Sequence, residues 1–134
     1  MDLTPGRRGS VDPPSRDAAF ADKMDYYRAQ HTTRGVRVTH LVAVPGVLLA
    51  IPLLLVRPRL GLSLLMTSLG LQVAGHVAFE RNDPGIGAGD PSYALCGLAF
   101  WCEEVTDVVS GRGVGGSDHP VVRLPDTESS ASRA

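Results

Sequence analysis

The sequence predicts an all-α membrane protein: a central transmembrane hairpin, an N-terminal amphipathic helix and a C-terminal helix packed on it. Two observations support this fold class. Residues 41–56 and 60–79 are apolar runs without a charged side chain, and Arg57-Pro58-Arg59 makes a short charged break between them. The net charge of the whole chain is only −1 and its mean hydropathy is close to zero, so the overall composition conceals this apolar centre.

Both ends of the chain are polar and rich in Pro, Gly, Arg and Asp, a composition that cannot bury enough apolar surface to fold alone. We therefore expect disordered tails at residues 1–14 and 111–134, and one helical membrane domain over residues 15–110. With 13 Lys and Arg against 14 Asp and Glu, the chain has no basic excess, and we expect no nucleic-acid partner. No feature specifies an oligomeric state.

The hairpin is predicted to have spans at about residues 40–57 and 60–80. A helix over the second run rises about 30 Å, enough to cross the hydrocarbon core. The first run contains Pro45 and Pro52, which end most soluble helices but are tolerated in lipid. The alternative is a buried helical hairpin in a soluble bundle. A chain of 134 residues offers little other apolar surface to cover two such helices.

A first helix is expected from Ser15, a suitable N-cap residue, to about His31. One face of this helix is an apolar stripe at helical spacing, formed by Phe20, Met24, Tyr27 and His31. The other faces are polar, so the helix is amphipathic and lies at the membrane interface or packs on the hairpin. Residues 32–37 are interpreted as a turn.

A last helix is expected to begin at Asp90-Pro91, which has the chemistry of a helix start, and to run to about Ser110. Its first part is apolar and its second part is acidic, which favours a partly inserted or bundle-packing helix over a third span. Trp101 is interpreted as an interfacial aromatic residue. Three acidic residues are predicted to face solvent or lipid headgroups, with the alternative that one of them approaches the histidines: Glu103, Glu104 and Asp107.

The arginines give a prediction of orientation. Arg34, Arg37 and Arg81 flank the open end of the hairpin, against Arg57 and Arg59 at its turn. By the positive-inside rule, this small excess places both termini of a multi-pass protein in the cytoplasm.

Two histidines of the hairpin are predicted to lie side by side. His40 precedes Pro58 by 18 residues, and His76 follows it by 18. In an antiparallel hairpin, equal distance from the turn means equal depth in the membrane. His31 ends the first helix, and the turn after it can fold it back towards His40.

A carboxylate lies near these imidazoles, because Gln72, His76 and Glu80 share one helical face. Three imidazoles and a nearby carboxylate suit a non-haem Fe(II) site, either three-His or two-His-one-carboxylate. Two other interpretations stay open: histidines that reach the interface without a metal, and a haem held by His40 and His76.

The order of these residues resembles a known family. The pattern is Tyr26-Tyr27-x3-His31-x8-His40-x4-Pro45, followed by Gln72-x2-Gly75-His76-x2-Phe79-Glu80-Arg81-Asn82-x-Pro84. It is similar to the small helical membrane proteins that include the fungal 2-hydroxy fatty acid dioxygenase of phytosphingosine breakdown. The resemblance covers about residues 20–110.

The resemblance implies an Fe(II)-dependent oxidation of a 2-hydroxy fatty acid to the acid one carbon shorter, with O2 as oxidant and membrane lipid as surroundings. It places iron on His31, His40 and His76, and gives Glu80 a catalytic role as a ligand or as a supporting group. The chain departs from the family pattern at Val36, where Asn is expected, at residues 85–90, and at Leu98, where an acidic residue is expected. The alternative function is a non-catalytic membrane hairpin that acts as a scaffold or lipid-binding element.

Overall fold

The computed structural model describes residues 12–82 and 89–116, and in these ranges all the regular secondary structure is helical. Four α-helices and one π-helical turn follow in order: α1 Phe20–Ala29, α2 Arg34–Val56, α3 Pro58–Gly75, the π turn His76–Glu80 and α4 Ser92–Val109. The predicted all-α class with a central hairpin is confirmed. Most of the two predicted tails, and His119 within the second, lie outside the described residues.

The hairpin is formed by α2 and α3, which pack antiparallel on either side of Arg57. Pro58 begins α3 at a position where the missing N–H costs nothing. Small residues let the two backbones approach closely. A methyl group added at Gly46 would overlap the Ser68 side chain, and one at Gly75 would overlap Thr39. These two contacts constrain the register in which the helices can pack.

Helix α2 continues through both of its prolines, and the structure shows how one lost hydrogen bond is replaced. In an α-helix the carbonyl of Leu41 accepts from the N–H of residue 45, which Pro45 lacks. The Trp101 indole Nε1 donates to this carbonyl instead, at 3.1 Å. Trp101 was predicted to be an interfacial aromatic; its indole N–H also joins α4 to α2.

The outward faces of the hairpin are strongly apolar. Leu55 is 87 % exposed, Val56 77 % and Val42 62 %. The two segments Arg34–Val56 and Pro58–Glu80, each of 23 residues, are long and apolar enough to cross a membrane. Exposed surface of this kind is costly in water and has a natural solvent in lipid.

Helices α1 and α4 form a second layer at the open end of the hairpin. Met24 of α1 packs against Cys96 and Phe100 of α4, and α4 in turn contacts α2. The predicted start of the first helix at Ser15 is wrong, since residues 15–18 form a turn and the helix begins at Phe20. The predicted turn over 32–37 is also shorter than expected, because α2 already begins at Arg34, capped by the Thr33 hydroxyl.

Acidic residues of α4 face inward, not outward. Glu104 and Asp107 are 3 % and 2 % exposed, so the prediction that they face solvent or headgroups is wrong for these two. Glu104 pairs with Arg37 at 2.6 Å, and Asp107 pairs with Arg112 at 2.8 Å. Sequence alone did not indicate these partners, which neutralise both carboxylates.

Candidate metal centre

Three histidine side chains meet at the open end of the hairpin. His31, His40 and His76 are 2 %, 3 % and 2 % exposed, and one ring nitrogen from each lies within 4.8 Å of the others. The His31 ring centroid is 4.6 Å from each of the other two, which are 5.1 Å apart. In the described part of the chain these three residues form a group that is able to hold a metal ion.

Each histidine comes from a different element. His40 lies on α2, His76 is the first residue of the π turn, and His31 follows the end of α1. The register set by the hairpin contacts brings His40 and His76 to one level, as their equal spacing from Pro58 predicted. The predicted return of His31 towards His40 is also found, with the two Nε2 atoms 3.3 Å apart.

Two of the rings are oriented by backbone carbonyls. His31 Nδ1 lies 2.6 Å from the Tyr27 carbonyl oxygen, and His40 Nδ1 lies 2.8 Å from that of Val36. A carbonyl oxygen only accepts hydrogen bonds, so each Nδ1 carries the proton and each Nε2 carries a lone pair. The departure from the family pattern at Val36 leaves this contact intact, because it uses the backbone.

His76 is oriented by an amide side chain. Its Nδ1 lies 2.9 Å from Asn82 Oδ1. Asn82 Nδ2 donates to the backbone oxygen of Gln30 at 3.1 Å and to Gln30 Oε1 at 2.7 Å, which fixes which end of the amide faces His76. The proton of His76 therefore also lies on Nδ1, and its Nε2 carries a lone pair.

The backbone after His76 makes this contact possible. The π turn ends with the Arg81 N–H donating to the His76 carbonyl at 2.7 Å, and Arg81 has a left-handed backbone conformation with φ of 54°. This reversal brings Asn82 back towards the ring. π-helical turns are rare, and those that occur are often found at functional sites.

The donor set is suited to a cation. His31 Nε2 and His40 Nε2 face each other at 3.3 Å, and with both protons on Nδ1 neither can donate to the other. Two buried lone pairs at this distance repel unless a positive ion lies between them. Imidazole nitrogens bind such ions at about 2.0–2.1 Å, and metal-ligating histidines usually donate their other N–H to a carbonyl or similar acceptor, as all three do here.

The surroundings favour neutral imidazoles. Burial, and then the neighbouring His40 and His76, hold the pKa of His31 well below its ordinary value of 6.5. The Tyr27 ring stacks on the His31 ring with centroids 4.0 Å apart and planes at 17°. Burial also raises the pKa of the Tyr27 hydroxyl, so this ring stays uncharged beside the histidines.

Glu80 lies close to the group but is directed elsewhere. Its carboxylate accepts from the backbone N–H groups of Thr32 and Thr33 and from the Thr32 hydroxyl. These groups lie directly before α2, where backbone N–H groups have no intrahelical partner. Glu80 thus joins the π turn to the segment that carries His31. Of the two predicted roles, this geometry favours the supporting one.

The same triangle of rings argues against haem. A macrocycle ligated by His40 and His76 would lie midway between these two rings. The His31 ring centroid is 4.6 Å from both, so His31 lies in the plane that the macrocycle would need.

Sequence reasoning missed several supporting groups. Asn82 was named only as a member of the family motif, with no role at the histidines assigned to it, and Gln30 was not singled out. The available signal was the motif Glu80-Arg81-Asn82, which begins four residues after the third histidine, but a standard helix would have directed Asn82 away from His76.

Comparison with known proteins agrees with the resemblance that the sequence motifs indicate. A family model described as "2-hydroxy-palmitic acid dioxygenase Mpo1-like" matches residues 18–109, most of the chain. No curated protein and no solved structure matches. The match covers α1 to α4 and all three histidines, and the chain belongs to the Mpo1-like family.

Proposed function

We propose that this protein is an Fe(II)-dependent membrane dioxygenase that oxidises 2-hydroxy fatty acids to acids one carbon shorter. The observation that carries the proposal is the buried triangle of His31, His40 and His76, each with its Nδ1 held by an acceptor. Membership of a family described by a 2-hydroxy-palmitic acid dioxygenase supports the substrate class.

The three histidines are the proposed ligands, and iron is the proposed ion because the reaction uses O2. Three imidazoles leave other positions open on an ion that prefers six ligands. Iron bound there would supply a place where the 2-hydroxy acid and O2 meet and exchange electrons.

The reaction balances with O2 as the only oxidant. A 2-hydroxy acid R–CH(OH)–COOH and one O2 give R–COOH, CO2 and water. The C1–C2 bond breaks, the substrate loses four electrons and O2 gains them. No further reductant is required, so the protein needs no partner that supplies electrons.

The protein's own residues hold and shield the site. The three rings are almost fully buried, and Tyr27 and Phe100 cover His31 with aromatic surface, which excludes water. Glu80 is proposed as a positioning residue, since it binds the backbone next to His31. The acyl chain of the substrate would lie along the apolar outer faces of α2 and α3, which lipid already surrounds.

The proposal includes a membrane location. Both hairpin segments would cross the bilayer, with the histidines near one membrane face and both termini on that side. The arginine distribution of the sequence favours the cytoplasm for this side. A site at the interface receives the polar carboxylate and hydroxyl of the substrate while its tail stays in lipid.

The experiment is metal analysis and turnover of detergent-purified protein. We expect stoichiometric iron and conversion of 2-hydroxyhexadecanoic acid to pentadecanoic acid. His31→Ala, His40→Ala and His76→Ala should each lose both. His119→Ala is the matched control, because it removes the fourth histidine, and it should keep both.

Normal turnover in His76→Ala would refute the proposal. A parent protein that binds no iron and converts no 2-hydroxy acid would indicate the alternative, a non-catalytic hairpin that serves as a scaffold or lipid-binding element. A Soret absorption band would indicate haem in place of a non-haem ion.

A further inference from the structure

We infer that Arg37 and Glu104 are positioning residues for the metal centre, since they hold His31, the one member of the three-histidine group that does not lie on the hairpin. This inference rests on the proposed function. His40 and His76 are placed by the contacts between α2 and α3. His31 lies outside both helices, and its position depends on how the layer of α1 and α4 joins the hairpin.

Arg37 makes the central contact of this junction. Its Nε donates to the His31 carbonyl oxygen at 2.9 Å, and its Nη1 donates to Glu104 Oε1 at 2.6 Å. One planar guanidinium on α2 thus binds the backbone of the ligand and a carboxylate of α4 together. Arg is suited to this because its N–H groups point in fixed directions.

Glu104 is held on its other side as well. Its second oxygen, Oε2, accepts from the Gly115 N–H at 2.9 Å, in the turn that follows α4. The side chains of Arg37 and Glu104 are 18 % and 4 % exposed. The carboxylate therefore has a defined partner on each oxygen and little freedom to move.

Aromatic packing provides a second connection. The Arg37 guanidinium lies 5.3 Å from the centre of the Phe100 ring, and that centre is 5.2 Å from the centre of the His31 ring. Phe100 belongs to the same α4 helix as Glu104. The His31 backbone and ring are therefore both held by α4, one through Arg37 and the other through Phe100.

The buried Arg37–Glu104 ion pair is better explained by the position it gives His31 than by a gain in folding stability. Burying an ion pair costs desolvation that its attraction barely offsets, and apolar residues of similar size often stabilise a core as well or better. A bidentate guanidinium between a ligand backbone and a fixed carboxylate specifies position, which an apolar contact does not.

The test compares Glu104→Gln with Glu103→Gln. The two glutamates are adjacent on α4, and each pairs with an arginine, but Glu103 pairs with Arg28, whose guanidinium also binds Asp25, in a more exposed contact. Co(II) serves as the probe, since its visible absorption reports ligand geometry. We expect Glu104→Gln to bind Co(II) about 10-fold more weakly with a changed spectrum. Glu103→Gln should match the parent.

The outcomes separate the two proposals. A parent that binds no Co(II) and no iron contradicts the proposed metal centre itself. A parent that binds Co(II), with identical affinity and spectrum in Glu104→Gln, overturns the positioning role alone. If Glu104→Gln does not fold, Arg37→Lys tests the same positioning role. It keeps the positive charge but cannot make both contacts in one plane, and we expect the same weakening and spectral change.

Discussion

Replacing Asn82 by alanine removes the group that fixes the orientation of the third histidine. Asn82 Oδ1 accepts the His76 Nδ1 proton at 2.9 Å, and its Nδ2 donates to Gln30 at 2.7 and 3.1 Å. In the alanine variant the His76 ring can rotate or move its proton to Nε2, and either change removes a lone pair from the metal site. The hydrogen bonds to Gln30 are lost as well.

The expected loss is in metal affinity more than in folding. Supporting hydrogen bonds to metal-ligating histidines are worth about 10- to 100-fold in affinity, which is about 1.4–2.8 kcal/mol. Asn82→Asp keeps an oxygen that accepts from His76, but its other carboxylate oxygen replaces the Nδ2 donor and is repelled by the two Gln30 oxygens. We therefore expect Asn82→Asp to bind metal more tightly than Asn82→Ala and more weakly than the parent.

Co(II) titration followed by visible absorption measures this series, with circular dichroism as the check on folding. Thr106→Ala serves as a control, because its hydroxyl bonds only to its own helix at Cys102 and is exposed. Parent-like Co(II) affinity in a folded Asn82→Ala protein would show that Asn82 does not orient His76.

Three further predictions concern stability. Gly75→Ala should lower the free energy of unfolding by about 1–3 kcal/mol and weaken metal binding, because the added methyl group meets Thr39 of α2. Gly70→Ala on the same helix is the control, since its methyl group meets nothing within 4 Å and should be tolerated. Equal effects of the two substitutions in urea unfolding would contradict this. Trp101→Phe should lower the free energy of unfolding by about 1 kcal/mol, because it removes the hydrogen bond to the Leu41 carbonyl. The loss should be smaller in a Pro45→Ala background, which restores the helical N–H to that carbonyl. An unchanged loss in this double-mutant cycle would argue against the hydrogen bond. Hydrogen bonds from Ser92 and Lys23 hold the pKa of Asp90 well below its ordinary value of 3.8. The ionised Asp90 side chain therefore contributes fully to the free energy of unfolding above pH 3.8, and this contribution is lost as the pH falls further. The stability difference between the parent and Asp90→Asn should therefore shrink in acid, and a constant difference from pH 7 to pH 2 would count against this.

The register of the hairpin could be predicted from the sequence because one turn determines it. Two apolar runs around a Pro-containing break permit few pairings, and equal spacing from the break then places His40 and His76 together. Of the predicted apolar stripe, Met24 and His31 are buried, whereas Phe20 is 47 % exposed. These are consequences of helical periodicity, which is local.

The supporting groups could not be predicted in the same way, because they depend on backbone irregularities and on long-range pairs. Asn82 reaches His76 only because a π turn and a left-handed residue interrupt the helix. Glu104 looked like a solvated acid, since its partner Arg37 is 67 positions away in the sequence. Charge pairs of this kind leave no periodic signal.

The fold explains why the site lies where it does. The hairpin supplies two of the three histidines at one level but cannot easily supply a third from its own surface. The layer of α1 and α4 at the open end supplies His31 and covers the group with aromatic rings. The candidate metal centre is thus shared between the apolar hairpin and a layer held by ion pairs.

X-ray absorption spectroscopy at the iron edge of detergent-purified, iron-loaded protein tests the central claim most directly. We expect scattering from three imidazole rings in the parent, and from two in His76→Ala if iron is retained at all. Iron bound by fewer than three imidazoles in the parent, or bound equally well with all three histidines replaced, would contradict the account.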